Sequence, residues 1–149
     1  MAGKRGVATW AVSGQTVATM LANGATNIDP LIKIANNTLV IWGGINDNGA
    51  STAQQIYDNL AAYCRARKAA GWNKVIVCTE IDSTAAGWTA KKNTLNGLIA
   101  ADHSWADAVA DLGADARLQN ASDATYYTDG THLTAAGYAV VAGIVAAAL

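Results

Sequence analysis

A chain of 149 residues, 52% hydrophobic and 14% charged, has the composition of one folded domain rather than of a disordered tail or a coiled coil. At that length about 68–70% of the unfolded surface can be buried, so no disulfide or metal staple is required. A net charge of -1, with ten basic residues against eleven acidic ones, leaves no sequence-wide footprint for nucleic acid.

The N-terminal stretch MAGKRGVATWAVSG carries basic residues but no uninterrupted apolar run leading to a cleavage site, so no signal peptide is predicted. Residues 7–12 form a short β-type run that ends at Ser13-Gly14, after which 15–21 can turn helical. Asp29-Pro30 is a helix start, with aspartate at the cap and proline at the first helical position, leading into 31–35. Residues 38–42 are a continuous apolar run closed by Gly43-Gly44, the pattern of a strand buried on both faces. Ser51-Thr52-Ala53-Gln54 reads as a capping box, and Ile56, Leu60, Tyr63 and Cys64 form an apolar stripe along the helix it opens. Arg65, Arg67 and Lys68 fall in its last turns, where they suit a solvated, dipole-compensating end, and Gly71 is the stop.

Residues 74–78 are the next buried strand, 90–101 repeat the helical period through Leu95, Leu98 and Ile99, and 106–112 predict another strand. His103 follows that helical pattern with no motif around it and is expected at the surface. Thr134 caps a final helix whose expected buried side is Tyr138, Val141, Ile144 and Val145. That helix contains the most apolar segment, but no stretch reaches the roughly 18 uninterrupted apolar residues of a membrane span. Cys64 and Cys78 sit in apolar patterns and read as small buried hydrophobes rather than as a disulfide.

Strands alternating with helices imply parallel pairing through right-handed crossovers, hence a three-layer α/β/α sandwich with a mostly parallel sheet and a single domain over 1–149. Ligands in such folds bind outside the carboxyl ends of the strands. Gly14, Asn46, Asp129 and His132 all fall in loops eligible for that rim. Each also has a plain structural reading: a strand-to-helix turn for Gly14, an Asn-Asp turn for Asn46, a helix cap and an exposed histidine for the last two.

Three segments, VSGQT at 12–16, GGIND at 43–47 and DGTH at 129–132, occur in an order and spacing that resemble the SGNH, or GDSL-like, hydrolases, a family of esterases, lipases and carbohydrate deacetylases with a flavodoxin-like fold. The resemblance runs from about Val7 to the C-terminus. It implies an ester hydrolase without metal or organic cofactor, acting on short acyl esters or O-acetylated sugars. In that reading Gly14 offers a backbone N–H and Asn46 a side-chain amide to the oxyanion. His132 is the general base and Asp129 orients its imidazole. Trp42, Trp88, Tyr126 and Tyr127 are candidates to line a sugar or acyl pocket, and equally candidates for core packing.

One block of the family pattern is missing. The sequence contains no Gly-Asp-Ser, and it starts where the family's second block would start, so the strand carrying the nucleophile is expected to be absent. Three substitutes follow: Ser13, which ends the first β-type run and precedes a helix; Ser83 in EIDST, which follows a later strand and lacks the glycine; or a serine from another segment or chain. An open sheet would expose hydrogen-bonding edges, so self-association through those edges is expected. Two rival readings are a non-catalytic module of the same fold that binds carbohydrate or serves in assembly, and a flavodoxin-like phosphate binder. The second lacks a glycine-rich phosphate loop after the first strand.

Overall fold

The structure, a computed structural model, describes residues 7–33 and 36–149. Its centre is a parallel three-stranded sheet of β1 (Thr38–Ile41), β2 (Lys74–Cys78) and β3 (Ala108–Ala110), in that spatial order. Val40 lies opposite Ile76 across the first pair, and Ile76 opposite Ala108 across the second. The middle strand, KVIVC, is buried along all but its first residue, which explains why it reads as a solid apolar run rather than an alternating one.

Its alternate side chains divide the core. Val75 and Val77 pack with Val17, Ile56, Leu60, Cys64, Leu95 and Ile99, the apolar faces of α1 (Val17–Asn27), α2 (Ala53–Ala70) and α3 (Trp88–Ala101). Ile76 and Cys78 face the other way, into a cluster with Leu112, Leu118, Tyr127, Leu133 and Val140, the last from α4 (Ala135–Ala148). Helices therefore cover both faces, giving the expected α/β/α layering. No helix among the described residues is long and apolar enough to cross a membrane.

Several local expectations shift. Residues 7–12 form no strand; Val7, Trp10 and Val12 are exposed, and among the described residues no strand pairs with that run. β-type residues stay extended without becoming a strand when no ladder offers hydrogen bonds to their backbone. The first helix begins at Val17, capped by Thr16, whose hydroxyl accepts the Thr19 N–H. Asp29-Pro30 opens only a single 3-10 turn, Asp29–Leu31, while residues 34 and 35 of the helix expected there lie outside the described residues. β3 is shorter than the predicted 106–112, because the Asp107 carboxylate, not a ladder carbonyl, accepts the Val75 N–H at 2.8 Å, and a 3-10 turn starts at Leu112.

In α4, Tyr138 is exposed and Gly137 and Val140 take the buried positions, with Val141, Ile144 and Val145 partly buried as expected. Arg67 is not part of a solvated helix end. It is 4% exposed, sits 3.2 Å from Asp29 and lies over the Tyr63 ring, in a space left open by Gly24 on α1. Gly71 does end α2 in the left-handed conformation, at φ 111°.

The capping box of α2 falls one residue later than expected. Thr52 is the extended cap residue; its hydroxyl accepts the Gln55 N–H and the Gln55 side chain accepts the Thr52 N–H at 2.8 Å. Ser51 is still in the preceding turn, its N–H bonded to the Asp47 carbonyl. Replacing Thr52 by alanine is expected to lower stability by about 1 kcal/mol, measured by urea unfolding, and Ser51→Ala by much less. Equal losses would return the cap to Ser51.

Candidate active site

Three of the candidate loops emerge at the carboxyl ends of the strands, whereas the Ser13-Gly14 turn precedes α1 and follows no strand among the described residues. β1 runs into Gly43-Gly44 and a 3-10 turn, Ile45–Asp47; β2 runs into residues 79–87; and residues 111–134 follow β3 and lead into α4. Three cross-loop bonds tie these segments together. Asn48 Nδ2 donates to the Ala86 carbonyl at 3.0 Å, the Thr84 N–H donates to the Gly130 carbonyl at 2.9 Å, and the Ser83 and Thr131 hydroxyls share a bond of 2.8 Å.

Asp129 and His132 lie in a loop closed at its base by an antiparallel bridge between Tyr127 and Leu133 and by the Thr128 N–H bonded to the His132 carbonyl at 2.8 Å. The buried Tyr127 anchors that base through its hydroxyl, which donates to the Leu118 carbonyl at 2.7 Å. Within the loop, Asp129 Oδ1 accepts the N–H groups of Thr131 and His132, at 3.0 and 2.8 Å, and Oδ2 lies 2.7 Å from His132 Nδ1. The backbone N–H of His132, then its ring and the Thr131 N–H, hold the Asp129 carboxyl down at about 2. Asp129 is therefore an ionised acceptor throughout the neutral range, and an ionised acceptor at this distance fixes the proton of a neutral imidazole on Nδ1. That leaves Nε2 as the basic nitrogen. Gly130, at φ 80°, makes the tight turn between the two residues, and a Cβ there would stand 2.5 Å from Thr84 Oγ1.

Across the rim, Ser13 and Gly14 form an exposed turn before α1, with Gly14 at φ 75°. The Asn46 side chain reaches this turn: its Nδ2 donates to the Gln15 carbonyl at 3.1 Å. That bond uses one of the two amide protons, and Nδ2 makes no other hydrogen bond among the described residues. The structure thus brings Asp129 to His132, and Asn46 to the turn that contains Gly14. Among the described residues, no serine, threonine or cysteine side chain hydrogen-bonds the His132 ring.

The remaining candidates separate by burial. Ser83 is 5% exposed and already bonded to Thr131, a link that supports the histidine loop. Cys64 and Cys78 are buried, which pushes both thiols up to about 12, so neither is a thiolate at neutral pH. Trp88, expected as a possible pocket wall, is fully buried with its indole N–H on the Ile81 carbonyl at 2.9 Å, and Tyr127 is likewise structural. Trp42 and Tyr126 stay half-buried, packed against the α4 side of the core. His103 is exposed, with Nδ1 3.0 Å from the Ile99 carbonyl. Sequence reasoning passed over two buried acids behind the rim, Asp47 and Glu80. Asp47 lies inside the GGIND segment already singled out, and Glu80 is the first residue of EIDST, a segment read only for its Ser83.

Comparison with known proteins identifies the fold. The chain superposes on a protein described as an acylhydrolase from Bacteroides fragilis with a TM-score of 0.73 at 24% identity, over 91% of this chain and 70% of that one. It matches a GDSL-like lipase from Bacteroides thetaiotaomicron with a TM-score of 0.69 at 19% identity, over 91% and 71% of the two chains. A family 3 carbohydrate esterase from Talaromyces cellulolyticus gives 0.69 at 23% identity, over 89% of this chain and 65% of that chain. At these identities the likeness establishes a shared fold. Among curated proteins none matches the chain. The model of the GDSL-like lipase/acylhydrolase family matches residues 2–140, nearly the whole sequence, and the chain belongs to that family.

Proposed function

We propose that this chain is an ester hydrolase acting on short acyl esters or on O-acetyl groups of carbohydrate. The observation that carries the reading is the Asp129 carboxylate bound to His132 Nδ1 at 2.7 Å while two backbone N–H groups fix its other oxygen. Such a carboxylate holds the imidazole in one orientation and stabilises the imidazolium that forms during acyl transfer. Membership of a lipase and acylhydrolase family supports the reaction class, and the likeness to a carbohydrate esterase supports the sugar ester as substrate.

In this mechanism a serine Oγ attacks the ester carbonyl and its proton passes to His132 Nε2. The carbonyl oxygen becomes an oxyanion, which takes the free N–H of the Asn46 amide and the Gly14 backbone N–H. Collapse of the tetrahedral species expels the alkoxide, which recovers the proton from His132 and leaves an acyl-serine. Water, deprotonated by His132, then releases the acid and restores the serine. Among the serines considered, Ser13 is our candidate for the nucleophile: it is exposed and adjoins Gly14 in the turn reached by Asn46.

A second reading is favoured by the observation that no described hydroxyl or thiol is bonded to the His132 ring: the chain keeps the rim and binds acetylated carbohydrate without turning it over. Removing a triad serine costs roughly a millionfold in turnover, so the two readings differ greatly in rate.

Incubation with a fluorophosphonate followed by peptide mapping is expected to label a serine, and Ser13→Ala to abolish the label. Unchanged labelling of that variant removes Ser13. No label in the wild type, with acetylated sugar still bound, favours the binding module. If Asn46 is an oxyanion donor, Asn46→Ala should lower kcat on p-nitrophenyl acetate about a hundred- to a thousandfold. A loss confined to KM would assign it to substrate binding instead.

A further inference from the structure

Two buried carboxyl groups lie directly behind the proposed oxyanion donors and take no part in the chemistry above. Asp47 ends the 3-10 turn that follows Gly44 and is 1% exposed. Its Oδ2 accepts the N–H of Val17, the first residue of α1, at 2.9 Å, in a buried bond between residues thirty positions apart. Its Oδ1 is buried with no hydrogen-bond partner among the described residues. Glu80 follows β2 and is 3% exposed. Its carboxyl lies under Gly44, where a Cβ would stand 3.1 Å from the Glu80 Cδ, and its Oε1 is buried without a partner among the described residues. The Glu80 backbone is pinned from α3: its N–H donates to Asn96 Oδ1 and its carbonyl accepts from Asn96 Nδ2, both at 2.8 Å.

Asp47 therefore joins the two halves of the proposed oxyanion hole. Asn46 is its immediate neighbour, and the Val17 N–H it holds stands three residues after Gly14. We propose that Asp47 and Glu80 are positioning residues for the oxyanion donors: Asp47 ties the Gly14-Gln15 turn to the loop presenting Asn46, and the Glu80 carboxyl beneath Gly44 supports that loop from the sheet side. The proposal rests on the reading of Gly14 and Asn46 as oxyanion donors.

An electrostatic consequence follows. Burial, then the nearby Asp47 charge, pushes the Glu80 carboxyl up to about 8, against a smaller opposing effect of the Gly43 N–H. Burial raises Asp47 as well, opposed by the Val17 N–H and by Lys91. Lys91, on α3, spends its ammonium on the carbonyls of Asn48 and Ser51, so it braces the same loop. Cys78 also feels the Glu80 charge, and its thiol, pushed up to about 12, stays neutral through this range. Burial and the second acid thus favour the protonated form of the Glu80 carboxyl. A carboxyl raised in the folded state contributes stability that is complete below its unfolded value near 4.5 and is lost as pH rises through about 8. Above that point a second negative charge enters a site with two unpartnered oxygens, directly beneath the loop carrying Asn46.

The test is nuclear magnetic resonance of the whole chain, following the Val17 amide proton and the Asn46 side-chain amide from about pH 6 to about pH 9. In the wild type both signals are expected to move together with a midpoint of about 8. Glu80→Gln should abolish that transition and flatten any fall in hydrolysis of p-nitrophenyl acetate above it. Asp47→Ala should lose the carboxylate-bonded Val17 shift and the ordered Asn46 amide, and lower kcat about a hundredfold at little change in KM. Asp47→Asn, which keeps an acceptor for Val17, should restore the Asn46 signal; with Glu80→Gln it carries the test should the alanine variant not fold. Val17 and Asn46 signals that ignore pH in the wild type, or that survive Asp47→Ala unchanged, would overturn the proposal. A coupled titration in a wild type that hydrolyses no ester supports the positioning pair and counts against the hydrolase reading alone.

Discussion

Burial of β2 on both faces is the constraint from which the rest of the molecule follows. A five-residue strand with Val75 and Val77 on one side and Ile76 and Cys78 on the other is stable only if apolar helices cover both sides and parallel neighbours satisfy its backbone. Parallel neighbours require crossovers, and crossovers place every loop that follows a strand at the same end of the sheet. The rim is thus a by-product of how one apolar strand is satisfied. Loss of that strand's packing would be felt at the rim through residues 79–87, which leave β2 directly and bond to both neighbouring loops.

The two halves of the candidate site are fixed in different ways. The Asp129 and His132 half is self-contained: a five-residue loop bridged at its base, whose aspartate makes all its bonds to the next three residues. Its stiffness comes from local hydrogen bonds and from a left-handed glycine, so it needs little from the rest of the fold beyond the Thr84 and Thr131 contacts. The Gly14 and Asn46 half is the opposite. Its parts are thirty residues apart in sequence and meet through Asn46 on the Gln15 carbonyl and Asp47 on the Val17 N–H. Here placement depends on the buried acids beneath, and buried acids with unsatisfied oxygens are retained at a cost in stability. Such a cost is commonly borne where a site must be held in one geometry.

Carboxylates in these two places also behave differently for a plain reason. Asp129 is exposed and collects hydrogen bonds to its ionised form, so its proton is lost early. Glu80 is buried beside a second acid and collects almost none, so its proton is kept. The same functional group is thus driven toward its charged form at the exposed rim and toward its neutral form in the interior behind it.

Local pattern determined a good part of this in advance. The β2 run, the caps at Thr134 and Gly71, and the Asp-Gly-Thr-His loop are written in contiguous residues, because apolar continuity, left-handed glycine and three-residue hydrogen bonding are short-range properties; β1 is a strand as expected but is not buried on both faces, since it lies at the edge of the sheet with Val40 exposed and only Ile41 buried. Partners distant in the chain were not legible. Whether residues 7–12 become a strand depends on a neighbouring ladder, and none pairs with them among the described residues. Arg67 looked like a solvated helix end until Asp29, Tyr63 and the gap at Gly24 came together around it. Glu80 opens the EIDST segment, but nothing in those letters marks it, because its proton affinity is raised by the burial and the second acid that folding puts beside it. Sequence alone sets what the backbone prefers and which side chains can do chemistry; desolvation and the meeting of remote groups are properties of the packed interior, and only the tertiary structure decides them.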